Sequence, residues 1–422
     1  MNKLLGKVAT GIATASLLAS AFTPLAFANV TVQISGNGAD SSNTANVAVE
    51  NTTAVEQNNS ATINNNVSVS SNSGGNAANN NTGGDVSIDT GNASSNTSVS
   101  NTANSNVAEV SGCCPKDITA KISGNGFNST NEIYLESKSE TFVEQNNWAK
   151  VKNYVEVNAD TGNNEANNNT GGDVSIGTGN AKGDVSVSNK VNKNVAQVGG
   201  GDGSGQVHVE ISGNGADSTN TANLALENLV AVEQNNWASI YNDVEVNANT
   251  GNNEANNNTG GNVEIDTGNA KADVEVENLA NFNWADVDAC GCFFDVFVKI
   301  KDNGFNSTNE AYLYLESALF VLQNNEFTCK KKNLGAGWHE KKPCNNVEVN
   351  VDTGNNESNN NTQAGEPEID TGNAEADVSV ETTVNSNVVG ALDLDFDFPD
   401  LDLPDLPDGL SGLLLLLIGL FS

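Results

Sequence analysis

The chain has 422 residues, with 53 acidic side chains against 18 lysines, no arginine and a formal net charge of −35. A surface this acidic repels phosphate backbones and anionic lipid, which excludes nucleic acid as a partner and leaves cations or cationic surfaces as the expected counter-partners. Only 5% of the residues are aromatic, and Asn, Gly, Ser and Thr abound, a composition that by itself suits disorder. The pattern says otherwise: short alternating runs such as Val244-Glu-Val246 and Val274-Glu-Val276, set between Asn/Gly turns, predict β-strands.

Residues 1–28 read as a secretory signal peptide. Lys3 and Lys7 form the positive region, Gly11 to Phe22 the apolar region, and Ala26-Phe27-Ala28 the small-residue site, with cleavage expected after Ala28. Its removal leaves sixteen lysines against 53 acids, a net charge of −37. The expected location is therefore outside the cell, on a bacterial surface.

The remainder is built from four copies of one unit. Ile-Ser-Gly-Asn-Gly begins at Ile34, Ile122 and Ile211, and a worn Ile-Lys-Asp-Asn-Gly begins at Ile300, at spacings of 88, 89 and 89. Gln-Asn-Asn follows at Gln57, Gln145, Gln234 and Gln323, and Thr-Gly-Asn-Ala at Thr90, Thr178, Thr267 and Thr371. The copies span 29–111, 112–198, 206–288 and 295–391. Within a copy, Asn-Gly, Gly-Asn and Thr-Gly pairs supply turns that tolerate positive φ, and they predict strands of about four to six residues. The expected fold is all-β, a repetitive, parallel β-helix-like β-solenoid of four ~88-residue repeats with Asn ladders at its corners. About sixteen short coils would stack to about 80 Å. Four tandem β-sandwich domains are the alternative, favoured by the linkers 111–116 and 199–205.

The six cysteines stand outside the repeat pattern. Cys113 and Cys114 lie between the first and second copies, and Cys290 and Cys292 between the third and fourth. Their spacing is not that of a zinc site; structural disulfides or cross-links to neighbouring subunits are expected, with the pairing open. Cys329 and Cys344 bracket a basic insertion peculiar to the fourth copy, with Lys330 to Lys332, Lys341 and Lys342 inside it and Trp338 and His339 near its tip. A disulfide closing that loop is predicted to contribute about 3 kcal/mol.

Candidate binding residues are few. Asp89, Asp266 and Asp370 recur before Thr-Gly-Asn, with Gly177 in their place in the second copy. Beside side-chain amides and turn carbonyls they supply oxygen ligands of the kind Ca²⁺ prefers, the only cofactor expected; Asp as a turn initiator accounts for the same positions. Trp148 and Trp237, each after Gln-Asn-Asn, and Trp338 are candidate platforms for sugar rings, or packed core. The two histidines, His208 and His339, have no Ser or Cys nucleophile at motif spacing, and no catalytic residue is identified. A polysaccharide-cleaving β-helix with paired carboxylates is the residual enzyme reading, and once-per-copy repetition speaks for scaffold instead.

The tail, 392–422, changes character. Leu392 to Phe398 alternates Leu/Phe with Asp, Pro399, Pro404 and Pro407 follow, and the chain closes on an apolar run from Gly412. That run, about 11 residues, is shorter than the roughly 20 needed to span a bilayer. An alternating strand suits docking on a neighbour's sheet edge, and the apolar end suits membrane or envelope attachment.

Taken together, the signal peptide and runs such as Asn167-Asn-Asn-Thr-Gly-Gly172 resemble the Asn/Thr/Gly-rich β-repeat proteins of bacterial envelopes: adhesin stalks, surface-layer-like proteins and extracellular fibre subunits. Curli-type fibre subunits share the Gln/Asn flavour but have much shorter repeats. The resemblance implies a structural cell-surface or matrix protein that associates with itself or with other envelope components. An adhesin that binds glycans or another cell surface is the alternative.

Overall fold

The computed structural model describes residues 6–7, 11–14, 17–22, 30–110, 117–199, 206–287, 295–329, 331–333, 339–341, 343–362 and 365–390. Among these there is no helix. Each copy forms one rung of a β-solenoid. In the first, an opening strand (Val30–Ser35) turns into a long strand (Ser42–Asn72), and a short corner strand (Val86–Asp89) leads to a return strand (Ala93–Val110). The second rung repeats this as Ile118–Ser123, Thr130–Asp160, Val174–Gly177 and Ala181–Val198. The third does so as Gln206–Ser212, Thr219–Asn249, Val263–Asp266 and Ala270–Val287. In the fourth, the long strand is split into Thr308–Thr328 and Asn345–Asp352, between Asp295–Lys301 before it and Glu368–Asp370 and Ala374–Val389 after it.

Among the described residues the opening, long, corner and return strands pair between copies and always in parallel; the one antiparallel pair, Lys331–Asn333 with His339–Lys341, lies in the fourth-copy insertion. The four opening, four long, four corner and four return strands each stack into their own sheet in the order of the chain. Thr219 lies between Thr130 and Thr308, and the register with the second rung runs unbroken to Asn249 opposite Asp160. Pairing between copies rules out tandem sandwiches, each of which would close its own sheets.

The expected sixteen coils of short strands are corrected to four large rungs. A 31-residue strand has a contour length of about 100 Å, whereas four rungs at about 4.8 Å rise little in the stacking direction. The reason lies in the asparagines. In Gln145-Asn146-Asn147 the chain alternates inward, outward, inward, so that Gln145 and Asn147 are buried while Asn146 faces out. Runs that read as turns are ordinary alternating strand, because an inward amide finds its partner in the equivalent amide one rung away.

The core lies between the long strand and the two strands that fold back on it. Val32 and Ile34 of the opening strand pack against Ile133 and Leu135 of the long strand. Further along, Ala61 and Ile63 meet Ala103, and Val69 meets Val99 of the return strand. At the corner, Ile88, Ile176 and Ile265 form one column with Ala166 and Ala255 beside it. Small apolar side chains suffice because the two layers are close.

Amide columns run among these apolar ones. Asn101, Asn189 and Asn278 are buried, and each donates to the next at 2.7 Å. Asn153 donates to Asn242 at 2.7 Å along the facing strand, and Asn101 reaches across to Asn153 at 3.0 Å. Gln57, Gln145, Gln234 and Gln323 form a column of opposite polarity, each later glutamine donating to the earlier one at 2.7–2.8 Å. Ladders at the corners were expected, and Asn76, Asn164, Asn253 and Asn356 make one; the mid-strand ladders add a polar spine inside the core. Asn also occupies the left-handed region at repeated positions: Asn104, Asn192, Asn281 and Asn385 all have φ near 61–64° and form a bulge in every return strand.

Length differences between copies are kept out of the strands. Val110 pairs with Val198 at a separation of 88, but Ile118 pairs with Val207 at 89, so the extra residue falls in the segment between rungs. The long insertion likewise lies between Ser239, opposite Thr328, and Asn242, opposite Asn345. One residue added within a strand would turn its buried face outward.

The outer face carries charge, and lysines bridge successive rungs. Lys121 meets Glu210 at 3.2 Å, and Lys271 meets Glu375 at 2.9 Å and Asp377 at 3.3 Å. The Lys121 hydrogen bond holds the Glu210 carboxyl below the usual carboxylate range. Lys193 stands in a column between Ser105 and Phe282. Some of its surface is exposed, yet crowding dominates and burial pulls the ammonium down to about 7. An amine whose folded pKa lies below its unfolded value of 10.5 binds fewer protons folded than unfolded between those limits. Stability from this group should therefore rise as pH climbs from about 7 toward 10 and be lowest below 7. Thermal melts of Lys193→Met should lose that slope and show a higher midpoint than the parent at pH 6.

Candidate functional site: outer columns and open rung ends

Three features of the fold bear on function. The first is an aromatic groove on the outside of the long strands. The repeat register places Ser60, Trp148, Trp237 and Glu326 in one column. Trp148 and Trp237 stack with ring centroids 4.8 Å apart and planes 7° from parallel, and Trp148 keeps 37% of its surface exposed. The tryptophans are thus outer-face residues and not core. Amides line the groove, with Asn58, Asn146, Asn235 and Asn324 along one flank. Trp338 lies outside the described residues.

The second is the aspartate column. Asp89, Gly177, Asp266 and Asp370 stand in register at the ends of the corner strands. Asp266 and Asp370 are on adjacent rungs, while Gly177 separates Asp89 from them. Among the described residues, no three His, Cys, Asp or Glu side chains converge into a cluster fit for a metal ion.

Cys329 and Cys344 form the predicted disulfide, with their Cα atoms 4.8 Å apart. It pins the two sides of the insertion where the long strand is interrupted, and within the insertion Lys331–Asn333 and His339–Lys341 pair as an antiparallel ribbon. Cys113, Cys114, Cys290, Cys292 and the tail 392–422 lie outside the described residues.

The third feature went unread in the sequence. Among the described residues no rung lies beyond the fourth or before the first, and the lower of these two ends is apolar. Ile300 is 47% exposed, whereas its column mates Ile122 and Ile211 are 0% exposed. Leu315 and Val380 are similarly uncovered, while Leu226 and Val276 above them are buried. At the upper end, Gly6–Lys7, Gly11–Thr14 and Leu17–Phe22 run parallel to the return strand of the first rung, with Gly11 opposite Val99 and Leu17 opposite Ser105.

The glycines at the rung corners sharpen this. A Cβ on Gly74 would lie 2.0 Å from the Gly162 carbonyl oxygen, one on Gly162 2.0 Å from Gly251 O, and one on Gly251 2.0 Å from Gly354 O. Another column points the other way, where a Cβ on Gly179 would lie 2.6 Å from the Gly91 backbone and one on Gly268 2.4 Å from Gly179 O. Inside the stack these positions accept only glycine. The signal was present in the sequence as Gly recurring at fixed offsets, but only the stacking direction gives it meaning.

Comparison of the chain with family models, curated proteins and solved structures gives no match.

Proposed function

We propose that the protein is an exported structural element of a bacterial cell surface or extracellular matrix, a stalk, layer or fibre subunit, and that it is not an enzyme. The observation that carries this reading is the set of buried Asn and Gln columns running through the rungs. A core built from one repeated cross-section stiffens the whole stack, and it repeats every side chain instead of singling out a site. The signal-like residues 1–28 and the predominance of acid on the outer face support display outside the cell. Immunogold labelling of the bacterium that makes the protein should place it outside the cell, in filaments, a layer or stalks. Label confined to the cytoplasm would overturn the reading.

A second reading, an adhesin, is favoured by the stacked Trp148–Trp237 platform with its amide flank, since flat aromatic faces bordered by hydrogen-bonding groups suit sugar rings. Glycan-array binding that is lost in both Trp148→Ala and Trp237→Ala would assign that activity to the groove. An array without signal above background would leave the protein purely structural.

A further inference from the structure

We infer that the two open ends of the stack bind each other: the fourth rung of one subunit seats on the first rung of a second copy in the repeat register, giving a continuous solenoid. The inference deepens the structural reading above by naming the partner and the surface.

The glycines at the two ends are the first observation. Gly354 closes the column in which Gly74, Gly162 and Gly251 are each pressed against the rung below, but among the described residues a Cβ on Gly354 would meet only Asp352 Oδ1, at 3.5 Å. Gly91 and Gly38 begin the columns that point upward, and among the described residues a Cβ on either would meet nothing within 4 Å. None of the three has a positive φ, so neither their backbone nor their surroundings within one subunit call for glycine. All three call for it once another rung lies against them. Gly354 would then abut the Gly74 of the following copy, and Gly91 and Gly38 would abut Gly372 and Gly304 of the preceding one. The requirement appears at both ends and on the outward side of each.

Hydrogen bonding gives the second. In the bulge column Asn104 donates to Asn192, Asn192 to Asn281 and Asn281 to Asn385, each at 2.9 Å. Among the described residues this leaves the buried Oδ1 of Asn104 without a donor. Asn385 of a preceding copy would supply that donor by the same step that links every other pair in the column.

Charge gives the third. The first rung, from Val30 to Val110, carries six acids and no lysine, whereas the fourth is rich in both. In the shared register Glu310 would face Thr44, Glu326 would face Ser60, Asp377 would face Asn96 and Glu381 would face Ser100. At these four positions acid in the last rung meets neutral polar groups in the first, which lessens the repulsion expected of a chain with a net charge of −35; Glu316 would face Glu50 and Asp370 would face Asp89, two acid pairs that oppose the contact. Leu315 would cover Val49 and Ile369 would cover Ile88, burying the apolar end.

Three short strands, Gly6–Lys7, Gly11–Thr14 and Leu17–Phe22, occupy part of this surface. They pair with the edge of Ala93–Val110, where Ala374–Val389 of a preceding copy would lie, so the uncut chain is capped along this edge and removal of residues 1–28 uncovers it.

The test is assembly of the purified chain beginning at residue 29, followed by light scattering and electron microscopy. Filaments are expected, with an axial rise of about 19 Å per subunit, four rungs at about 4.8 Å each. Gly354→Ala combined with Gly91→Ala should reduce filament mass at least tenfold while leaving the circular dichroism and melting of the isolated subunit unchanged, because among the described residues one methyl meets nothing within 4 Å and the other only the Asp352 Oδ1 at an ordinary contact distance of 3.5 Å. The uncut chain should assemble more slowly; equal rates would remove the cap from the proposal. Monodisperse subunits at every concentration would overturn the stacking, yet leave an extracellular stalk intact. Filaments that survive both glycine changes but vanish on deletion of 392–422 would overturn it too, transferring assembly to the tail.

Discussion

Gly162→Ala should split the solenoid between its second and third rungs. The added methyl would lie 2.0 Å from the Gly251 carbonyl oxygen and 2.9 Å from the carbonyl carbon of Thr250, backbone atoms that cannot turn aside as a side chain would. Relief requires the two rungs to part at this corner, straining the neighbouring ladder, in which Asn164 donates to Asn253 at 2.8 Å. Overpacking of this kind costs about 3 kcal/mol. In a repeat stack the loss falls on a single interface, so urea unfolding should become biphasic and hydrogen exchange should quicken first along Thr130–Asp160 and Thr219–Asn249. Gly354→Ala makes the same change at the same corner of the last rung, where no rung lies beneath, and the subunit should melt as the parent does. If the two variants melt alike, glycine at this corner is not set by rung contact.

Asn194→Asp should be comparably damaging, for an electrostatic reason. Asn194 is fully buried, its amide nitrogen 3.0 Å from both Asn236 Oδ1 and Asn283 Oδ1, while its oxygen accepts from Asn106 at 3.0 Å and Asn147 at 2.7 Å. Aspartate keeps the acceptor but turns the donor into a second oxygen facing two others. The buried carboxylate then lacks donors on that side, at a cost of roughly 3 kcal/mol or more. Its folded pKa should be raised above the unfolded value, so the loss should be largest at neutral pH, shrink as pH falls through that raised value, and be smallest at and below the unfolded value of about 4. Asn324→Asp, on the exposed outer face where the amide donates to Asn235 at 2.8 Å, should change stability by no more than about 0.5 kcal/mol. Urea melts at pH 7 and pH 4 check both, and equal effects at the two sites would refute a special role for the buried column.

The spacing of Ile34, Ile122, Ile211 and Ile300 was enough to indicate the rung, because parallel in-register stacking demands copies of equal length. Strand length was not legible. Asn59, Asn65 and Asn101 look like turn residues one at a time, and only with a neighbouring rung in place does burying their amides become favourable. The same holds at the candidate sites. Trp148 and Trp237 were visible as a recurring pair, but the sequence could not say on which side of the strand they stood. The Cys329–Cys344 closure was legible because the insertion interrupts an otherwise regular period. The open ends were invisible for a simple reason: an end is defined by what is missing beyond it, and Gly38, Gly91 and Gly354 are indistinguishable in sequence from the interior glycines they continue.

Partners in this stack are 88 or 89 residues apart along the chain, and that distance governs how it can fold. No strand of the stacked sheets meets its partner until a second copy is available, and closing a loop of this length costs about 4 kcal/mol before any contact compensates it. The first pairing of two rungs is the slow, uphill step; each later rung adds to an edge that is already formed. A chain of this design stays unfolded while it is short. If the protein is exported as proposed, such a chain would pass a narrow channel as a loose polymer and gain structure once two full copies had emerged on the far side.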